Sequence, residues 1–275
     1  MRPSAVHLLS ARASGLAADL ELAATLYIPD PADGLPAPGL VVGHGAGSRR
    51  ARHDAFCREA CFQGFAVLAV DLRGHGDSAG AADGPLEHDI LAAAAFLRGH
   101  GAVDGRHLCY RGSSMGGFYG LKAAPEAGFT ALALLCPASE RVILDALDED
   151  DPEPATMAAG GGAAQPPMMA AGGGAAQPAA PTRWDLPHLK AYFERQDSLA
   201  LAARVRCPVL LVHARADSVV PFAHSLALAQ HLAGDTTLVA LAGGTHTSAQ
   251  HDPAIHRLAT RWLLDQVKNA CTERT

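Results

Sequence analysis

Four short stretches bring together residue types that can activate a nucleophile. Residues Gly112-Ser113-Ser114-Met115-Gly116-Gly117 contain the pattern G-x-S-x-G with Ser114 at its centre. His107 to Tyr110 before it reads as a strand, and Met115 to Ala124 after it reads as a helix. A strand–turn–helix of this kind is so tight that the neighbours of the serine must lack bulky side chains, hence Gly112 and Gly116. It lifts the hydroxyl above the sheet. It also brings the backbone N–H of Met115, at a helix start, to the same spot, where it can hold a developing oxyanion. Ser113 competes, but only Ser114 has its flanking glycines in register. On its own the pattern also occurs in ordinary βα turns.

A serine needs a base, and the base needs an orienting acid. Gly243-Gly244-Thr245-His246 follows a strand at Thr236 to Leu241, and its glycines permit a loop that folds back over the sheet. His251 and His256 are nearby rivals among 14 histidines, and the loop setting favours His246. Asp217 lies just past a strand at Pro208 to His213. An aspartate there is equally a helix N-cap or turn residue, and Asp235 and Asp252 are weaker rivals. Ser114, Asp217 and His246 all fall at C-terminal ends of predicted strands, where open α/β sheets bind ligands. In these roles His246 takes the proton from Ser114, and Asp217 holds the imidazole tautomer. Val42-Gly43-His44-Gly45-Ala46-Gly47-Ser48 leaves another strand end with small residues, so its backbone can approach a ligand. The Ala46 N–H is the expected partner of the Met115 N–H in an oxyanion hole. This loop lacks the glycine–lysine and G-x-G-x-x-G patterns of nucleotide sites.

The elements that must position these residues alternate. Strands are expected at Ala5–Ser10, Leu20–Ile28, Gly39–Gly43, Phe65–Val70, His107–Tyr110, Thr130–Cys136, Pro208–His213 and Thr236–Leu241. Helices are expected at Arg52–Gln63, Leu86–Leu97, Met115–Ala124, Val219–Leu232 and Ala254–Val267. Fully apolar strands alternating with helices imply an α/β fold, with a mainly parallel eight-stranded sheet covered on both faces. One region breaks the rhythm. Residues 157–166 read MAAGGGAAQP and residues 169–178 repeat them. No charge occurs from Pro154 to Thr182. Such a segment buries too little large apolar surface to offset its ordering entropy, so a flexible insert is expected. An acidic run, Asp145 to Glu153, precedes it and a helix, expected at Trp184 to Arg195, follows. The expected organisation is a core of residues 1–136 and 197–275 interrupted by a cap or lid at 137–196.

Composition removes several classes. The 275 residues carry 22 Lys and Arg against 28 Asp and Glu, a net charge of −6 with no basic block. That argues against nucleic acid as a partner. The hydrophobic fraction is 49%, but alanine alone makes up about a fifth of the chain, so large apolar residues are fewer than that figure suggests. No run of about 18 large apolar residues exists to span a membrane. The N-terminal apolar run is short and holds His7, a weak export signal. The six cysteines form no C-x-x-C pair and suggest a reducing, cytoplasmic setting. Cys57 and Cys61, four apart on a helix, read as buried small side chains rather than as metal ligands or a strained disulfide. His44, His75, His107 and His213 are scattered and H-E-x-x-H is absent, so no metal and no cofactor is expected.

With these residues in hand, the chain resembles the α/β-hydrolase superfamily. The matching residues are His44-Gly45-Ala46-Gly47, Asp71-Leu72-Arg73-Gly74-His75-Gly76-Asp77-Ser78, the serine motif, Asp217 with Val220-Pro221, and Gly244-Thr245-His246. They run in the family's order over almost the whole chain, and look like its esterase, dienelactone-hydrolase-like and serine-aminopeptidase-like branches. The resemblance implies the α/β-hydrolase fold, a small-molecule acyl ester as substrate, and Asp71, Arg73 and His75 as braces of the active-site wall. It also implies a cap where the insert lies. Thioester or amide cleavage would use the same residues, and a non-catalytic ligand-binding protein on the same fold is the reading from a different class.

Overall fold

The computed structural model describes residues 3–10, 20–30, 36–148 and 181–272. Eight strands form one sheet: β1 (Pro3–Ser10), β2 (Leu20–Tyr27), β3 (Ala37–Gly43), β4 (Ala66–Val70), β5 (Val103–Ser113), β6 (Ala131–Leu135), β7 (Val209–Ala214) and β8 (Thr236–Leu241). Their spatial order is β1-β2-β4-β3-β5-β6-β7-β8. β2 pairs antiparallel with β1 and β4, and every other pairing is parallel. The expected eight-stranded, mainly parallel sheet is therefore present. β4, β6 and β7 are buried at every position, the condition that makes such strands continuous apolar runs.

The helices are α1 (Asp54–Phe62), α2 (Glu87–Gly99), α3 (Met115–Ala127), α4 (Glu140–Asp148), α5 (Leu186–Phe193), α6 (Ser198–Ala202), α7 (Phe222–His231), α8 (Ser248–His251) and α9 (Pro253–Thr272). A 3-10 turn, Arg50–His53, leads into α1. One face of the sheet packs on α1 and α9. Ile255, Ala259, Leu263 and Val267 repeat every four residues along α9 and meet Phe56, Cys57, Ala60 and Cys61 of α1 there. Cys57 and Cys61 are thus both buried on this helix face. The other face packs on α2, α3 and α5. Among the described residues no helix is long and apolar enough to cross a membrane.

Three differences from the sequence reading are found, and two of them have a local physical cause. β5 begins at Val103 rather than His107, because Val103 and Asp104 already pair with Ala37 and Pro38 of β3, ahead of a register shift at Pro38/Gly39. The helix expected from Val219 begins at Phe222, because the Val219 and Val220 N–H groups bind the Asp217 carboxylate and Pro221 takes the N-cap position. The short helices α4, α6 and α8 were not expected at all. The Gly/Ala/Pro-rich repeat lies outside the described residues. The segments on either side of it join the main core: Ile143, Leu189, Tyr192 and Phe193 are buried there. Phe193 packs 5.1 Å from the Phe118 ring, and the Tyr192 hydroxyl donates to Glu87 at 2.7 Å.

Candidate active site

Parallel β3, β5, β7 and β8 bring four loops to one edge of the sheet. At the end of β5, Ser114 stands at φ 50, ψ −119, immediately before α3. Only Ser114 and Cys136 have positive φ among the described non-glycine residues. Such a conformation costs on the order of 1–3 kcal/mol and persists only where the surroundings enforce it. Here they do. The Ser114 N–H donates to the Leu135 carbonyl at 3.0 Å, and the Ser114 carbonyl accepts from Gly117 at 2.8 Å and Ala138 at 3.1 Å. A Cβ on Gly116 would lie 2.5 Å from the His44 carbonyl oxygen, so only glycine lets the start of α3 meet the end of β3. The Tyr110 hydroxyl donates to the Gly116 carbonyl at 2.6 Å from below. Ser113, the rival serine, is wholly buried, and its Oγ has no hydrogen-bond partner among the described residues.

The β3 loop passes close to this serine. A Cβ on Gly45 would come 3.2 Å from the Ser114 Cβ. Ala46 follows in a turn closed by the Ser48 N–H on the Gly45 carbonyl at 3.2 Å. His44 fixes the loop: its Nε2 accepts from the Leu72 N–H at 3.0 Å, which leaves Nδ1–H to donate to the Gly45 carbonyl at 2.8 Å. The histidines read as scattered are not all apart, for the His44 and His75 rings lie 4.8 Å from each other. They meet because the β3 and β4 loops are neighbours in the sheet. The stretch Asp71 to Ser78 is tied down throughout. Arg73 pairs with Asp89 at 2.7 Å and bonds Ser10, Asp71 accepts the Arg50 and Asp77 N–H groups, and His75 packs edge-on to Trp184.

The expected acid and base meet after β7 and β8. His246 Nδ1 lies 2.7 Å from Asp217 Oδ2, and both side chains are buried. The other oxygen, Oδ1, accepts the Val219 and Val220 N–H groups at 2.9 Å. Two further residues close the shell and were missed in the sequence. His213 Nε2 lies 3.2 Å from Asp217 Oδ2 and 3.0 Å from the Val220 carbonyl, and its Nδ1 lies 2.7 Å from Ser225 Oγ. An Nε2–H shared between two oxygen acceptors leaves Nδ1 to accept the Ser225 hydroxyl proton. The Cys136 thiol also bonds Asp217. The signal for His213 was a lone polar residue inside the apolar run of β7.

Burial pushes the Asp217 carboxyl up, but hydrogen bonds from His213 and His246 outweigh it and hold the group well below the usual carboxylate range. Burial, with the Asp217 charge beside it, pushes the Cys136 thiol up to about 12. Asp217 is therefore a fixed negative charge and Cys136 a neutral thiol at ordinary pH. Cys136, His213 and Asp217 offer ligand atoms within 4.8 Å of one another. Their hydrogens already satisfy each other and Val220, so the group reads as a hydrogen-bond network around the acid. The rival residues serve elsewhere: Asp252 accepts from Ala254 at the start of α9, the Asp235 carbonyl accepts from Val209, His251 stacks on His53, and His256 binds the Gln250 carbonyl.

The chain is similar to known proteins. A family model described as "Alpha/beta hydrolase family" matches residues 10–260. Among curated proteins, the quorum-quenching protein AidA of Acinetobacter baumannii is 32% identical over 126 residues, 43% of this chain and 41% of that protein. Among solved structures, Est1E from Butyrivibrio proteoclasticus with bound ferulic acid superposes with a TM-score of 0.69 at 22% identity, covering 90% of this chain and 96% of that one. A hydrolase from Pseudomonas aeruginosa PA01 gives 0.67 at 24% identity, covering 94% and 98%. At these identities the structural likeness is one of fold.

Proposed function

The chain belongs to the α/β-hydrolase family, and from that premise we propose that it is a serine hydrolase cleaving carboxylic esters through an acyl-enzyme. One observation carries the reading: a buried imidazole held 2.7 Å from an ionised carboxylate, at the sheet edge where a serine stands at φ 50 before a helix. Strain and buried charge of this kind are maintained where geometry has a use.

Ser114 Oγ attacks the ester carbonyl carbon and His246 Nε2 takes its proton. The Met115 and Ala46 N–H groups hold the resulting oxyanion. As the tetrahedral species collapses, the carbon–oxygen bond to the alcohol breaks and His246 protonates the departing oxygen. Water then attacks the acyl group on Ser114 with His246 as base. Asp217 holds Nδ1–H towards itself throughout and stabilises the imidazolium. His213 and the Val219 and Val220 N–H groups fix the carboxylate from behind. The neutral Cys136 thiol takes no part as nucleophile. Residues 137–196 act as the cap over the acyl pocket. The six cysteines, scattered without a C-x-x-C pair, support a cytoplasmic setting.

Labelling with a fluorophosphonate probe tests the reading. The full chain should be labelled at Ser114, and Ser114→Ala should lose both the label and at least about a thousandfold in rate on p-nitrophenyl esters. An unlabelled but folded chain would instead fit a binding protein on this fold. A series of rising acyl length defines the substrate class, with an aromatic ferulate ester, a thioester and an anilide as further arms. Run on a chain lacking residues 158–180, the same series should keep folding and alter chain-length preference.

A further inference from the structure

The strand that carries the nucleophile also carries a buried cation that this scheme does not use. Arg111 lies three residues before Ser114 on β5 and is fully buried. Among the described residues no carboxylate pairs with it. Its Nη1 faces His53 Nδ1 at 2.9 Å, its Nη2 donates to the Gln250 carbonyl at 2.8 Å, and the guanidinium lies over the Phe56 ring, 4.8 Å from its centroid. Its Nε has no hydrogen-bond partner among the described residues. A buried charge without a counter-charge is costly, so an apolar residue would serve better if packing were the only need.

The positions of its two hydrogen-bond partners supply the reason. His53 ends the 3-10 turn that follows the Ala46 loop, five residues after Ser48. Gln250 lies in α8, four residues after His246. Arg111 itself leads into Ser114. One guanidinium thus touches the continuation of the oxyanion loop, the nucleophile strand and the continuation of the base loop. The two outer elements also meet beside it: His251 of α8 stacks on His53 with ring centroids 5.6 Å apart, and His256 Nε2 shares the Gln250 carbonyl at 3.1 Å.

We propose that Arg111 is a positioning residue that sets the Ala46 and His246 loops in register with Ser114. A planar fork with donors on two separate nitrogens can hold both partners at once, whereas a single ammonium on a flexible stem cannot do so with the same geometry. Because the α8 contact is to a backbone carbonyl, the guanidinium fixes where the helix lies whatever side chain Gln250 carries. The proposal rests on the serine-hydrolase reading for its kinetic consequence, and the test keeps the two apart.

The experiment uses the full chain with Arg111→Met, Arg111→Lys, His53→Leu and His53→Gln. Fold is followed by circular dichroism and melting, kcat and KM on a p-nitrophenyl ester, and hydrogen exchange on the peptide spanning 243–252. Arg111→Met should lower kcat by about ten- to a hundredfold with KM little changed, the scale expected for a small misplacement of reacting groups. It should also speed exchange in 243–252. Arg111→Lys should restore only part of kcat. His53→Gln keeps an acceptor for Nη1 and should retain most of kcat, while His53→Leu should lose about tenfold, below the ceiling for such misplacement. A folded Arg111→Met with unchanged kcat and exchange overturns the proposal. If the Arg111 variants do not fold, equal kcat for the two His53 variants overturns it. A wild-type chain that resists fluorophosphonate sinks the hydrolase reading, while the exchange in 243–252 still reports whether Arg111 ties α8.

Discussion

The loops at the C-terminal ends of the strands and the helices flanking residues 149–180 are held by opposite means. In the loops, Ser114 and Cys136 take positive φ, and His44, His75, Asp217 and His246 are buried polar groups. Each depends on a partner from a distant part of the chain. The flanks α4 and α5 are ordinary amphipathic helices. Asp185 caps α5, Leu189, Tyr192 and Phe193 face the core, and Lys190 pairs with Asp148 outside it. The loops give up local stability to fix a geometry, whereas the flanks place apolar residues on the core and charged ones outside it. Departure from local consistency therefore marks the candidate site better than burial does, since both regions bury large side chains.

That contrast can be broken by experiment. The largest expected effect is on Asp217→Asn, which leaves the shape but spoils the imidazole tautomer: kcat of the folded protein should fall by about ten-thousandfold. A loss of only a few fold in initial rate would make the buried loop network structural and erase the distinction. Phe193→Ala in the flank should do the reverse. It should cost about 3–5 kcal/mol in urea melts while the folded fraction keeps its kcat.

The smallest effect sharpens the contrast through pH. Burial first, and neighbouring cationic or imidazole groups second, push His251 down to about 4 and His75 to about 3. Both are neutral when folded and return to the ordinary histidine range, near 6.5, when unfolded. As pH falls below about 6.5 the unfolded chain takes up protons first, so the stability they contribute is full above that pH and is lost progressively towards 4. Melting temperatures should decline over this window, and His251→Asn should flatten part of the decline. The Phe193→Ala deficit should stay constant across it. A deficit that varies with pH would show that the flank and the loops are energetically one unit.

Much of the fold was legible because apolar runs and turn residues report local structure. β8 runs from Thr236 to Leu241 as expected, and β4, β6 and β7 differ from expectation by one residue at their ends. The same local logic singled out Ser114 between its glycines, and it placed Asp217 and His246 after strands. It did not separate them from rivals. His251 and His256 also sit near the closing helix, and Asp252 also caps a helix. Only the 2.7 Å contact between Asp217 and His246 distinguishes that pair.

The amino-acid order alone thus determined the element sequence, the parallel sheet and the edge at which the loops gather, because periodicity and turn chemistry act over a few residues. The tertiary structure decided which histidine faces Asp217, that His213 and Cys136 close around the same carboxylate, and that Arg111 reaches the Gln250 carbonyl 139 residues away. Apart from His213, four residues from Asp217, these contacts join segments that are remote along the chain. Their residue types are common, and only the packing of the strands turns them into a site.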